Sequence, residues 1–347
     1  MVPGIYTTPF SYWGREQDAI DNKEWAGGRL GEMCLKAEGR YRMINALSLD
    51  PTHPKVREWV EGNFRKFREL GFEFVKIDFM NNGSQEADSF HNPGITTGMQ
   101  AYNYGMDYIV EAAGDMMLDF SIAPVFPAKA HVRRIGCDAW GDLPQSMYTL
   151  NCINGSWWLD RCYTFNDPDH MTLSKVPFNG KGSNDENEAR IRYSCGLMTG
   201  MTLLGGTYAY EGDVRNVNGK DWKIVGNDEE RARVVKFASN KDLSLLGNAG
   251  RTFRPVEGTF SEKNTLYHHN DISVDSEFVL DDGDAFYYAV FNYGTSGGGA
   301  VSRKPDYTRI GINPADYINV TEIWEGKKCS PADLVVEVPR IYHLPRQ

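Results

Sequence analysis

The sequence predicts an α/β protein. A (β/α)8 TIM barrel is expected over residues 1–250, its first strand lying before residue 1, and a small antiparallel β-sandwich over residues 251–347. Three observations predict this. The first two-thirds of the chain alternate short apolar runs with stretches of helical periodicity, the pattern of βα units around a parallel sheet. Several of the apolar runs end in a polar cluster, as strands do where the loops of a barrel gather at one mouth. From about residue 250 the helical pattern stops, and strand-like runs follow with Gly, Pro and Asp between them.

Taken in order, Met1-Val-Pro-Gly-Ile-Tyr6 reads as the start of a buried strand rather than a signal peptide or polar tail, so sequence upstream is expected. The clearest unit begins at Ala46-Leu-Ser-Leu-Asp50, a short strand ending in a carboxylate. Pro54 stands where a first-turn proline belongs, and Val56, Trp59, Val60, Phe64, Phe67 and Leu70 follow at helical spacing. Gly71 stops that helix, and Phe72-Glu-Phe-Val-Lys-Ile-Asp-Phe79 is the next strand. Further strands are expected at 4–9, 118–124, 134–140, 157–162 and 201–205, which makes seven, with helices at 103–117, 187–199 and 228–240. In the last third, strands are expected at 277–280, 285–291, 307–310, 317–323 and 334–338, with no helix. Residues 253–257 read as a linker and 294–299 as a flexible loop.

Composition narrows the function classes. A formal net charge of −10 argues against a nucleic-acid partner, whose phosphates ask for a basic face. No apolar run approaches the ~20 residues that span a bilayer, so no membrane span is expected. Aromatic residues reach 12%, which suits sugar stacking and also suits a large core. The six cysteines show neither a CxxC pair nor zinc spacing, no HExxH occurs among the histidines, and no metal or cofactor is expected. Nucleotide-binding glycine motifs, a GxSxG elbow and a Walker lysine are absent, which removes hydride-transfer, serine-hydrolase and kinase readings. Asp281-Asp-Gly-Asp284 superficially resembles a calcium loop but reads better as a hairpin turn.

Three short motifs carry the candidate chemistry. Lys76 and Asp78 are two apart on a strand and share a face, and the ammonium favours the ionised carboxylate that a nucleophile needs. The same triplet also fits a solvated ion pair. On a regular strand Arg134 and Asp138 share parity as well, which offers a second carboxylate; a structural Arg–Asp pair is the alternative. A carboxyl pair of this kind suits retaining glycoside hydrolysis, one group attacking and the other moving the proton, at a separation of about 5–5.5 Å. Asn166-Asp-Pro-Asp169 is either a tight turn or a carboxylate-rich loop able to hold sugar hydroxyls. Trp13 and Trp140 follow strand ends, where sugar platforms sit, and His170 directly follows the Asn-Asp-Pro-Asp loop; core or capping roles are the alternatives.

The order Lys76-x-Asp78, Arg134-x-x-x-Asp138 and Asn166-Asp-Pro-Asp169 resembles the retaining α-galactosidase (melibiase) clan, glycoside hydrolase families 27 and 36. Gly4-Ile-Tyr-Thr-Thr-Pro-Phe10 looks like that clan's second barrel strand, and Leu49-Asp-Pro-Thr-His-Pro54 like the segment after the third. The resemblance covers roughly residues 3–210. It implies Asp78 as nucleophile, Asp138 as acid/base, and Lys76, Arg134 and Asp169 as residues holding the terminal sugar, without metal or cofactor. Departures concern specificity. Thr7-Thr-Pro-Phe-Ser-Tyr-Trp13 stands where many clan members place an Asp or Asp pair, and Ser121-Ile-Ala-Pro124 offers no acid after the fifth strand. The expected substrate is therefore a glycoside or oligosaccharide with terminal α-galactose, or a related α-hexosaminide or β-L-arabinopyranoside. A carbohydrate-binding protein without turnover and a transglycosylase using the same intermediate are the other readings. An oligomer is compatible with the sequence, which leaves the compartment open.

Overall fold

The computed structural model describes residues 2–176, 180–204, 214–217, 220–223, 228–258, 274–293, 300–317 and 319–338. The chain divides into two compact units, Met1–Arg134 and Ile135–Gln347.

In the first unit four parallel strands, Gly4–Thr7, Phe74–Ile77, Met117–Phe120 and Val132–Arg134, pair in chain order. The register aligns Tyr6 with Lys76, Lys76 with Asp119, and Asp119 with Val132, so those side chains share one face of the sheet. On the opposite face Val75 and Leu118 are buried. The helix Pro54–Glu69 forms where the spacing predicts it: His53 caps it by accepting the Lys55 N–H, and Val56, Val60 and Phe64 are its buried stripe. Lys66 and Arg68 lie in its last turn, where the helix dipole favours cations. The helix Gly98–Ala113 packs against it and opens with a reciprocal Thr97–Gln100 capping box. Gly105 is required there, because a Cβ would stand 2.5 Å from the Phe10 ring.

One element departs from expectation. Ala46–Ser48 is not a strand of the parallel sheet; it pairs antiparallel with Ser11–Tyr12 and, around left-handed Asn45, with Met43–Ile44. An asparagine tolerates that conformation, and the tight hairpin it permits gives the short run a local partner. All three residues are buried, so the run has no alternation from which its pairing could be read. Gly4–Thr7 is accordingly the immediate neighbour of the strand carrying Lys76.

The second unit holds the strand Phe165–Asp167 and the helices Leu143–Ser156, Glu186–Thr199, Asp228–Ala238 and Lys241–Leu246. A three-stranded antiparallel sheet of Arg254–Pro255, Glu277–Asp281 and Phe286–Val290 follows. Two short ladders, Val301–Arg303 with Val336–Val338 and Val320–Thr321 with Lys328–Cys329, complete the described strands of the last third. Its core gathers Leu150, Met171, Tyr193, Phe237, Phe253 and Phe278.

Four sequence expectations change here. Trp157–Arg161 is a 3-10 helix continuing from Leu143–Ser156, and the strand follows it; a short aromatic run does not separate helix from strand by periodicity. Tyr307–Ile310 is helical, capped by Asp306, whose side chain accepts the Arg309 N–H, and closed by left-handed Gly311. The strand expected at 134–140 ends at Arg134, and the Ile135 N–H turns to the Asp167 carbonyl. Residues 201–204 form no strand, and residue 205 and the loop 294–299 lie outside the described residues. Among the described residues no helix is long and apolar enough to cross a membrane. All six cysteines are free thiols, and burial pushes Cys34 up to about 12 and Cys195 to about 11, which keeps both protonated and unreactive at neutral pH.

Candidate active site

In the first unit the site grows from the sheet face shared by Tyr6, Lys76 and Asp119. Asp78 stands one step beyond the Phe74–Ile77 strand, its N–H donating to the Thr7 carbonyl at 2.9 Å. Phe79 then adopts a left-handed backbone with φ 52° and starts the 3-10 helix Met80–Ser84, so the chain turns away and leaves Asp78 at the strand end. The carboxylate is buried and held at both oxygens. Phe79 N–H donates to Oδ1 at 2.7 Å and the Tyr6 hydroxyl donates to Oδ2 at 3.1 Å. Donors aimed at both oxygens hold the carboxylate in one orientation.

Lys76 Nζ lies 3.8 Å from Oδ2 of Asp119, a fully buried carboxylate. Arg134, also buried, donates from Nη1 to the Ser121 hydroxyl at 3.4 Å. Trp13 is half exposed, its indole N–H donating to Thr8 Oγ1 at 2.9 Å and its ring edge-on to Phe79 at 4.7 Å. Beside it Tyr6, Thr7, Tyr12, Trp25 and Trp59 line a cavity of about 450 Å³.

The second unit gathers the remaining expected residues on loops. Asp138 is exposed in the segment between Arg134 and the helix that starts at Leu143. Asp169 is buried with φ 72°; its Oδ2 accepts the Ala139 N–H at 2.8 Å and lies 3.2 Å from His170 Nδ1. Asp167 Oδ1 accepts the Asp169 N–H at 2.7 Å, an Asx turn that shapes the loop. His170 meets the Trp140 ring edge-on at 5.1 Å, and Lys181 Nζ sits 4.8 Å over the same indole. The structure thus groups Lys76, Asp78, Arg134 and Trp13 within one unit, and Asp138, Trp140, Asp169 and His170 within the other.

Sequence reasoning missed Tyr6 and Asp119. Both carried a signal: Asp119 is a lone carboxylate inside the apolar run Met116-Met-Leu-Asp-Phe120, and Tyr6 alternates in step with it on a neighbouring strand. Pairing register was the missing information.

No family model matches the chain. Among solved structures, a GH27 β-L-arabinopyranosidase from Geobacillus stearothermophilus is similar over 97% of this chain and 70% of its own, at 14% identity and a TM-score of 0.56. Arthrobacter globiformis T6 isomalto-dextranase, complexed with panose, is similar over 97% of this chain and 56% of its own, at 20% identity and a TM-score of 0.55. An α-galactosidase from Thermus thermophilus matches 59% of this chain and 43% of its own, at 20% identity and a TM-score of 0.44. The chain therefore spans less than half the length of that enzyme. At 14–20% identity the likeness is one of fold, and the parallel sheet of the first unit is consistent with it.

Proposed function

We propose that this chain is a retaining exo-glycosidase acting on terminal α-linked galactose or a closely related sugar such as a β-L-arabinopyranoside. The barrel over residues 1–250 carries the chemistry and a sandwich over 251–347 follows it. Asp78 attacks the anomeric carbon while Asp138 gives a proton to the departing glycosidic oxygen, leaving a covalent glycosyl–Asp78 ester. Asp138 then takes a proton from water, whose oxygen displaces Asp78 and restores the starting configuration. Lys76, Arg134 and Asp169 hold sugar hydroxyls through charge-assisted hydrogen bonds, and Trp13, Trp140 and His170 flank the ring.

The observation that carries this reading is the Asp78 carboxylate at a strand end, buried and accepting from both Tyr6 and Phe79. Two donors hold it oriented at the strand end, as a nucleophile requires. The fold shared with the Geobacillus β-L-arabinopyranosidase supports it.

A panel of aryl glycosides tests the proposal. The wild type is expected to hydrolyse the α-galactoside or β-L-arabinopyranoside with retained anomeric configuration by NMR. Asp78→Ala is expected to lose about 10⁴-fold or more in kcat, as removal of a nucleophile does elsewhere. Equal rates in the two proteins would remove Asp78 from the mechanism.

A further inference from the structure

Among the described residues the largest fully buried side chain is Arg192, on the helix Glu186–Thr199. A guanidinium taken out of water is costly unless its donors are met. Here they are met by neutral oxygens. Nη2 donates to the carbonyls of Pro168, Asp169 and His170 at 2.7, 3.1 and 2.8 Å. Nε reaches the His170 carbonyl at 3.3 Å, and Nη1 the Thr149 hydroxyl at 2.9 Å. Three consecutive carbonyls turn toward one group only if the backbone curls around it, and Asp169, a non-glycine residue at φ 72°, makes that curl. A left-handed aspartate is strained and persists only where its surroundings over-determine it.

We propose that Arg192 is a positioning residue: it fixes the Asp167–His170 loop and, through that loop, the segment carrying Asp138. The route is short. Arg192 holds the Asp169 backbone, Asp169 Oδ2 holds the Ala139 N–H at 2.8 Å, and Ala139 adjoins Asp138. Asp138 itself is exposed, and the Asp169–Ala139 tie acts on the backbone directly beside it. The Thr149 contact adds the helix Leu143–Ser156, which begins just beyond the same segment. Lysine cannot substitute, because one ammonium does not reach the three carbonyls and the Thr149 hydroxyl together, as Nη2, Nε and Nη1 of the planar guanidinium do.

The consequence for turnover rests on the glycosidase reading, so the test carries two readouts on Arg192→Lys and Arg192→Met. The first is amide hydrogen exchange over residues 136–142 and 166–172, with the helix Lys241–Leu246 as control. Protection is expected to fall about tenfold or more in those two segments, with the control unchanged. The second is kinetics on aryl glycosides. A misplacement of about 1 Å lowers rates about 100-fold. That loss is expected in kcat/KM, and it should be greater for a poor leaving group than for dinitrophenolate, which needs no proton from Asp138. Unchanged exchange in both variants overturns the proposal. So does protection lost evenly across the second unit, or a loss of activity blind to the leaving group, since either marks a purely structural arginine. If the wild type hydrolyses no glycoside, the proposed function fails, while the exchange readout still decides whether Arg192 holds the loop.

Discussion

The two groups of candidate residues are held in place in different ways. In the first unit Tyr6, Lys76 and Asp119 lie on strands, and the register of a parallel sheet sets their spacing; Asp78 extends one of those strands by a single residue. In the second unit Asp138 and Asp169 lie on loops, and backbone hydrogen bonds, an Asx turn and the buried Arg192 do the work that register does elsewhere. Strand-borne groups inherit rigidity from a ladder shared by many residues. Loop-borne groups have no ladder to inherit rigidity from and rely on individual contacts such as the Asp169–Ala139 hydrogen bond. Single substitutions away from the proposed reacting carboxylates should therefore be felt more in the second unit than in the first.

That contrast can be broken or sharpened by experiment. The largest expected effect is at Asp138→Asn, which keeps the loop's shape but removes the proton. Loss of a general acid costs about 10²–10⁴-fold. It should be steepest with poor leaving groups, and added azide should recover rate on activated substrates. An Asp138→Asn enzyme at wild-type rate on a poor leaving group would break the assignment.

Next comes Tyr6→Phe, which deletes one donor to Asp78 and leaves the strand ladder untouched. A hydrogen bond to a charged group contributes about 1.5–3 kcal/mol, so kcat/KM is expected to fall about 10–100-fold with little change in Tm. If register alone positions Asp78, the loss will be negligible, and the contrast between units becomes sharper still.

The smallest effect concerns stability. The Asp18 carboxyl is held down to about 2, first by the Lys23 ammonium at 2.5 Å and then by the Arg15 N–H. Its folded value lies below the ordinary 3.8, so this contribution is full above about pH 4 and disappears as pH falls toward 2. Asp18→Asn should lower Tm slightly at pH 7 and leave it unchanged at pH 2. A shift of equal size at both pH values would exclude the ionic origin.

Local signals were legible in particular places. The helix Pro54–Glu69 was readable from Pro54, its apolar stripe and Gly71, and Lys76 and Asp78 were readable as neighbours at a strand end. Ala46–Ser48 was not, because a three-residue buried run carries no information about its partner, and left-handed Asn45 gave it a local one. Trp157–Arg161 and Tyr307–Ile310 were misread for a related reason: runs of four or five residues are too short for period 2 to be told from period 3.6.

By itself the sequence determined the α/β class, the strand carrying Lys76 with Asp78 at its end, and the Asn166–Asp169 loop; it placed Asp138 on a strand that in the structure ends at Arg134. These depend on periodicity, capping and turn residues, which act over a few neighbours along the chain. Only the tertiary structure decided that Tyr6 donates to Asp78, that Asp119 pairs with Lys76, and that Arg192 spends its donors on three consecutive carbonyls. Those contacts join residues separated by 72, 43 and 22–24 positions. Sheet register and the curl of one loop bring them together, and neither is written in the spacing of the residues themselves.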